Sequence, residues 1–189
     1  MTSIKYQRFI YHLTDIENLP SILQNGLQPR SALTNFSNVA DPEILTSRAL
    51  HGLDNYVPFH FFARSPFDGA VQLTYRHITF VLIAIDRNFA QASNWSIIPK
   101  HPLSLETIEL LNYVDGIRAI DWDAMDKRDY KDPHSHSVCM AECLSPSTVS
   151  SNSFVSIYVK DNVSYERVNA MLQAANISCY VNINAYMFV

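Results

Sequence analysis

Gln7-Arg8-Phe9-Ile10-Tyr11-His12-Leu13-Thr14-Asp15-Ile16-Glu17 changes its hydrophobic period midway. Residues 7 to 12 alternate and end in aromatics, as a buried strand does. From Thr14 the period lengthens. Thr14-x-x-Glu17 reads as a capping box. Ile16, Leu19, Ile22 and Leu23 then recur at helical spacing as far as Asn25, where Gly26 supplies a C′ residue. The stretch predicts a strand delivering the chain into a helix that packs on the core.

Further along, the two periods mix without a regular order. Residues 29–55 are irregular, with a short helix predicted over Asp41 to Arg48, Asp41 as N-cap and Pro42 at N1. A loop of that length in a compact domain is usually functional or mobile. Tyr56 to Phe62 is strand-like and Arg64 to Gly69 reads as a turn. Thr79 to Ile85 is a buried strand, and Ser104 to Asn112 reads as a helix. Met140 to Leu144 and Phe154 to Val159 read as strands. Tyr165 to Ala175 reads as a helix with Val168, Met171 and Leu172 inward, and Ile177 to Val189 closes the chain with one or two strands. Without a regular βαβ alternation, the expected class is α+β. No linker or repeat interrupts the chain, so a single domain over 1–189 is expected.

Composition narrows the function. The chain has 189 residues, 48% hydrophobic and 17% charged, which suits a folded domain with its own core. No apolar run approaches a membrane span, and Met1 to Tyr6 lacks the apolar core of a signal peptide. Three cysteines fit a reducing compartment, so a cytoplasmic location is expected. A net charge of -4 argues against a broad basic face for duplex DNA, though not against a narrow groove for a single strand. With four glycines and no GxGxxG or GxxxxGK[ST], a glycine-loop nucleotide site is not expected.

Several residues carry candidate chemistry. His12 and Thr14 stand at a strand end. The imidazole and hydroxyl there could meet an amide such as nicotinamide, or they could be a core histidine and a helix cap. Arg48 could fork onto a pyrophosphate or be a solvated charge. Glu142 lies in the apolar run Met140-Ala141-Glu142-Cys143-Leu144, where a buried carboxylate needs partners. It points either to water or into a site. Together, a lone carboxylate, a His-x-Thr strand end and one arginine make up the minimum set for holding and splitting NAD. His134, His136, Cys139 and Cys143 suggest a metal cluster, but at no standard zinc spacing. Trp122 and Tyr130 could stack on bases while Lys127, Arg128 and Lys131 meet phosphate, or the stretch is an ordinary amphipathic helix.

Taken in order, these pieces resemble the DarT family of bacterial toxins that ADP-ribosylate DNA. Tyr11-His12-Leu13-Thr14, Asn18-Leu19, Ile22-Leu23 and Gly26-Leu27 look like that family's opening motif. Ile44 and Arg48 look like its loop arginine segment. Tyr56-Val57-Pro58-Phe59-His60-Phe61-Phe62-Ala63-Arg64-Ser65-Pro66 looks like its central signature, and Asp121-Trp122 and Ala141-Glu142-x-Leu144 look like its later segments. The resemblance implies an ADP-ribosyltransferase fold, a split β-sheet core with flanking helices. It also implies NAD as substrate, released nicotinamide, and transfer to a base of single-stranded DNA. By resemblance, His12, Leu13 and Thr14 hold the nicotinamide end, Ser21 lies on the adenosine or phosphate side, and Arg48 and Glu142 carry catalysis. Residues 31–50 would cover NAD, and 115–142 would face the acceptor. No metal is implied. A macrodomain antitoxin that removes the mark is the implied partner.

This chain departs from thymidine-modifying relatives at Pro66-Phe67-Asp68-Gly69, where they continue Pro-Met-Leu-Tyr. Guanine or thymine is therefore the expected acceptor. The rival readings are transfer to RNA or protein, and a catalytically silent nucleic-acid-binding domain.

Overall fold

A computed structural model describes residues 2–34, 36, 46, 48–102 and 108–189. The architecture is α+β: the described residues form one eight-stranded sheet flanked by helices, in the order β5-β4-β6-β2-β1-β3-β7-β8. The strands are β1 Phe9–Asp15, β2 Val57–His60, β3 Phe80–Asp86, β4 Ser96–Ile98, β5 Leu111–Asn112, β6 Glu142–Ser145, β7 Ser156–Val159 and β8 Tyr180–Ile183. The helices are α1 Leu19–Asn25, α2 Pro66–Thr74, α3 Arg87–Ala92, α4 Tyr113–Ala119, α5 Trp122–Lys127, α6 Pro133–Val138 and α7 Asn162–Ala175. All neighbours pair antiparallel except β7 and β8, which run parallel across the α7 connection.

β3 is the central plank. Its run Phe80-Val81-Leu82-Ile83-Ala84-Ile85 is buried throughout, because both faces of the sheet are covered there. Val81, Ile83 and Ile85 join the main core. Phe80 and Leu82 point the other way, into a smaller cluster with Leu13, Val71 and Phe188. β1 pairs with β3 over seven residues, from Phe9↔Asp86 to Asp15↔Phe80. It meets β2 at one pair alone, Tyr11↔His60. Beyond that pair the two half-sheets part. Pro58 has no N–H to offer β1, and its carbonyl accepts instead from the His12 ring nitrogen Nδ1 at 2.8 Å. This is the expected split of the core, reduced to a seam held by one ladder pair and that ring–carbonyl hydrogen bond.

Several local expectations change. Thr14 does not cap a helix. β1 continues through Asp15, whose side chain accepts from the Glu17 N–H, and a 3-10 turn over Ile16–Asn18 precedes α1. Asp15 outcompetes Thr14 because its carboxylate accepts across the shorter Asx-type reach. Arg64 to Gly69 is not merely a turn. Ser65 and Asp68 close a capping box on α2, with Pro66 at its start, and Gly69 sits inside the helix. In the helix expected over Ser104 to Asn112, residues 104–107 lie outside the described set, and Leu111–Asn112 is a strand paired with Ser96 and Ile97. Of the helix expected over Asp41 to Arg48, residues 41–45 and 47 lie outside the described set. α1 ends as expected at Gly26, with φ +81°. Val168 and Leu172 of α7 are buried, with Met171 packed against them. Among the described residues, no helix is long and apolar enough to cross a membrane.

Candidate active site

The seam opens into a cavity of about 390 Å³, within the range of small-molecule sites. His12, Leu13 and Thr14 all line it. Successive strand residues point to opposite faces, so the cavity lies along the free edge of β1 and not over one face. Ser21, Ile22 and Gly26 of the α1 region form one wall, while Leu53, Tyr56, Val57 and Pro58 form another. Arg48 and Glu142 stand at the β2–β6 side, with His60, Phe67 and His101 beside them. The six residues singled out in the sequence, His12, Leu13, Thr14, Ser21, Arg48 and Glu142, therefore come together in one cleft.

Glu142 opens β6, in register between His60 of β2 and Ile98 of β4. Of its two sequence readings, the inward one holds: its side chain is 9% exposed. Its partner is Arg48. The Arg48 Nη1 donates to both carboxylate oxygens at 2.7 Å, and its Nη2 donates to the Leu53 carbonyl at 3.5 Å. The arginine thus sits on the carboxylate and is not the solvated charge that the sequence also allowed. Burying a carboxylate this deeply is costly without such a partner.

His12 is set by its surroundings. A carbonyl can only accept, so the contact to Pro58 puts the proton on Nδ1 and leaves Nε2 as an acceptor. Burial drives the ring pKa from 6.5 down to about 4, with the charges of His60 and Arg48 acting in the same direction. The imidazole is neutral at pH 7. His101 is also pushed down by burial, against the pull of Glu142. Thr14 Oγ1 accepts from Asn18 Nδ2 at 3.2 Å, and Ser21 Oγ accepts from Asn25 Nδ2 at 3.2 Å. The wall is largely apolar, and a neutral imidazole and a carboxylate–guanidinium pair both line it. Such an arrangement can grip a polar, elongated ligand and stabilise positive charge developing beside Glu142.

Other sequence candidates fall away. Trp122 cannot stack on a base: it is buried, its indole N–H donates to the Ile117 carbonyl at 2.9 Å, and its ring stands edge-on to Phe61. Tyr130 is half-exposed and donates its hydroxyl to the Arg64 carbonyl. His134 is bound to Asp121 at 2.9 Å. Cys139 and Cys143 are buried, and burial raises both thiols, that of Cys139 to about 11. Among the described residues, no group of three or more His, Cys, Asp or Glu side chains is placed to hold a metal ion. Sequence reasoning passed over His60, Phe67 and His101 as site residues. A histidine inside an aromatic strand was the available signal for His60.

The comparisons with known proteins follow the same lines. The family model for DarT, described as ssDNA thymidine ADP-ribosyltransferase, matches residues 11–189. No curated protein sequence matches the chain. Among solved structures, Thermus sp. 2.9 DarT in complex with ADP-ribosylated ssDNA superposes with a TM-score of 0.81 at 19% identity, covering 96% of each chain. Thermus sp. 2.9 DarT in complex with NAD+ gives 0.78 at 18% identity, over 97% of this chain and 98% of the other. Thermosipho africanus DarTG in complex with ADP-ribose gives 0.76 at 20% identity, over 96% of this chain and 51% of that longer one. At these identities the structural likeness speaks for the fold, and the family match extends it to ancestry. The chain belongs to the DarT family.

Proposed function

We propose that this chain is an NAD-dependent mono-ADP-ribosyltransferase that modifies a base of single-stranded DNA and releases nicotinamide. The observation that carries the reading is the Glu142–Arg48 pair, set at the seam cleft with neutral His12 across from it. The family description names thymidine as acceptor. Guanine is kept as the alternative because Pro66-Phe67-Asp68-Gly69 replaces the Pro-Met-Leu-Tyr of thymidine-modifying relatives, and Phe67 lines the cleft.

In this mechanism NAD lies folded in the seam. His12 and the backbone at Leu13 hold the nicotinamide amide, with Thr14 beside them, and Ser21 lies on the adenosine and phosphate side. Arg48 serves both ends of its reach: it holds the Glu142 carboxylate and presents the rest of its guanidinium to a phosphate. As the bond from ribose to nicotinamide lengthens, positive charge grows on the ribose. Glu142 stabilises that charge and accepts from the ribose 2′-hydroxyl. The acceptor base must be out of the stack to reach the cleft, which accounts for a preference for single strands.

The remaining expectations belong to the same reading. The chain acts as one transferase domain over 1–189, in the cytoplasm, as a toxin restrained by a macrodomain antitoxin. The test is incubation of the purified chain with NAD and mixed single-stranded oligonucleotides, read by mass spectrometry. A gain of one ADP-ribose on DNA is expected, with fragmentation naming the base. Transfer to RNA or protein alone sinks the DNA assignment. No consumption of NAD by folded protein sinks the enzyme.

A further inference from the structure

A base nitrogen that attacks the ribose must shed a proton as it does so. Both oxygens of Glu142 are engaged by Arg48. His60 is the titratable neighbour. It stands directly opposite Glu142 in the β2–β6 register, so both side chains rise from one face of the sheet. It lines the cleft and is 7% exposed. Its ring lies against Phe67, with centroids 5.4 Å apart.

Two buried side-chain atoms among the described residues have no hydrogen-bond partner: His60 Nδ1 and Asp68 Oδ1. Such orphans are uncommon in native interiors and call for a reason. Here they are complementary, one able to donate and the other to accept. They also belong to neighbouring groups, since the two charges act on one another. Asp68 is 1% exposed, and its other oxygen is held by the Ser65 N–H in the capping box of α2. The second ring nitrogen of His60 does not share this orphaned burial, and the residue lines the cleft.

We propose that His60 is the general base of the transfer and that Asp68 is its positioning residue; this rests on the transferase reading above. A small turn of either side chain lets Nδ1–H donate to Asp68 Oδ1. That fixes the tautomer with the Nε2 lone pair facing the acceptor base. In the step, Nε2 takes the proton of the acceptor N–H. The nitrogen's electron pair forms the new bond to the ribose C1′. The bond from C1′ to nicotinamide breaks, and its pair leaves with nicotinamide. No oxidant or reductant is needed. The groups facing His60 are Asp68 from α2, Tyr11 and His12 from β1, His101 from the segment after β4, and Glu142 from β6 with Arg48 upon it. Burial disfavours the charged form of His12, His101 and Asp68 alike; at Asp68 the charge of His60 and the hydrogen bonds from Ser65 and Arg64 oppose it, and that pairing is what steadies the imidazolium.

The test is the pH profile of single-turnover transfer from NAD to a single-stranded oligonucleotide, with nicotinamide release in the absence of DNA followed alongside. Wild type is expected to show a rising limb governed by a histidine. His60→Gln is expected to lower DNA transfer about 100-fold or more and flatten that limb. Asp68→Asn is expected to move the limb to lower pH, because a neutral partner no longer favours the imidazolium. Nitrogen-15 histidine spectra of the wild-type chain supply a readout independent of any variant's folding. The Nδ1–H tautomer of His60 at neutral pH is expected, and the Nε2–H tautomer overturns the proposal. So does a His60→Gln chain that transfers at the wild-type rate with an unchanged profile. A wild-type chain that consumes no NAD overturns the transferase reading, and this proposal with it.

Discussion

Replacing Glu142 by Gln changes the charge of the cleft while keeping its shape. The wild-type carboxylate accepts twice from Arg48 Nη1 at 2.7 Å, with side-chain exposures of 9% for Glu142 and 13% for Arg48. In the variant one oxygen still accepts, but the amide NH₂ can only turn a donor toward a donor. Two magnitudes follow. For activity, a preorganised negative charge beside a growing cation is worth at least about 100-fold, roughly 2.7 kcal/mol of barrier. For stability, losing one charge-assisted hydrogen bond costs about 1–3 kcal/mol, and each kcal/mol lowers Tm by about 2–4 °C in a chain of this size. Rate and fold therefore separate. Single-turnover transfer to an oligonucleotide should collapse while the melt stays cooperative and moves by about 2–12 °C. Transfer that persists above about a tenth of the wild-type rate, from a chain that melts normally, would refute Glu142 as the electrostatic centre.

Other perturbations probe the neighbouring parts. Arg48→Ala strands a buried carboxylate and should destabilise the chain by about 3 kcal/mol in urea titration, whereas Arg48→Lys keeps one cation on Glu142 and should lose clearly less. Because the folded pKa of His12 is near 4 against 6.5 in its ordinary state, its contribution is fully present above pH 6.5 and drains away as pH falls toward 4. Denaturation at pH 7 and pH 4.5 should therefore differ by about 2.4 kcal/mol from this site, and a His12→Asn chain should lose that slope. Gly26→Ala forces a Cβ to within 2.6 Å of Thr148 Cγ2 and 2.9 Å of the Val149 carbonyl oxygen, at φ +81°. A loss of about 1–3 kcal/mol in a thermal melt is expected, and no change would mean the wall beside α1 yields freely.

Long, strongly periodic segments were legible in the sequence. α1, β3 and α7 bury many apolar residues on a fixed period, so local pattern and tertiary role agree. α2 was not, because Gly69 and Asp68 resemble turn punctuation. The Ser65–Asp68 cap decides for helix only once Val71 and Gln72 find buried surroundings. β5 has two residues and no period to read. Within the cleft, residue types were legible but not their meeting. Glu142 sits on a strand, where a period of two cannot tell the core face from the open one. What turns it inward is Arg48, 94 positions away. Pro58 was in plain view as a residue unable to donate, yet only the register of β1 on β3 shows that its silence opens a seam.

That seam has a consequence for how the chain can be taken apart. One half-sheet holds β5, β4, β6 and β2, and the other holds β1, β3, β7 and β8. The backbone passes from one to the other between β1 and β2, between β2 and β3, between β3 and β4, and between β6 and β7. Neither half is a contiguous stretch of sequence, so neither can be excised, expressed alone or nucleated first. The two must assemble together through distant contacts, which is the slow regime of folding. Once assembled they are laced by covalent chain yet clasped at one place, where Tyr11 pairs with His60 and the His12 ring holds the Pro58 carbonyl. Amide exchange should therefore be fastest for β2 groups along the gap and slow on β1 where β3 covers it. A ligand lying in the gap becomes the second clasp, and protection gained on both lips at once would be its signature.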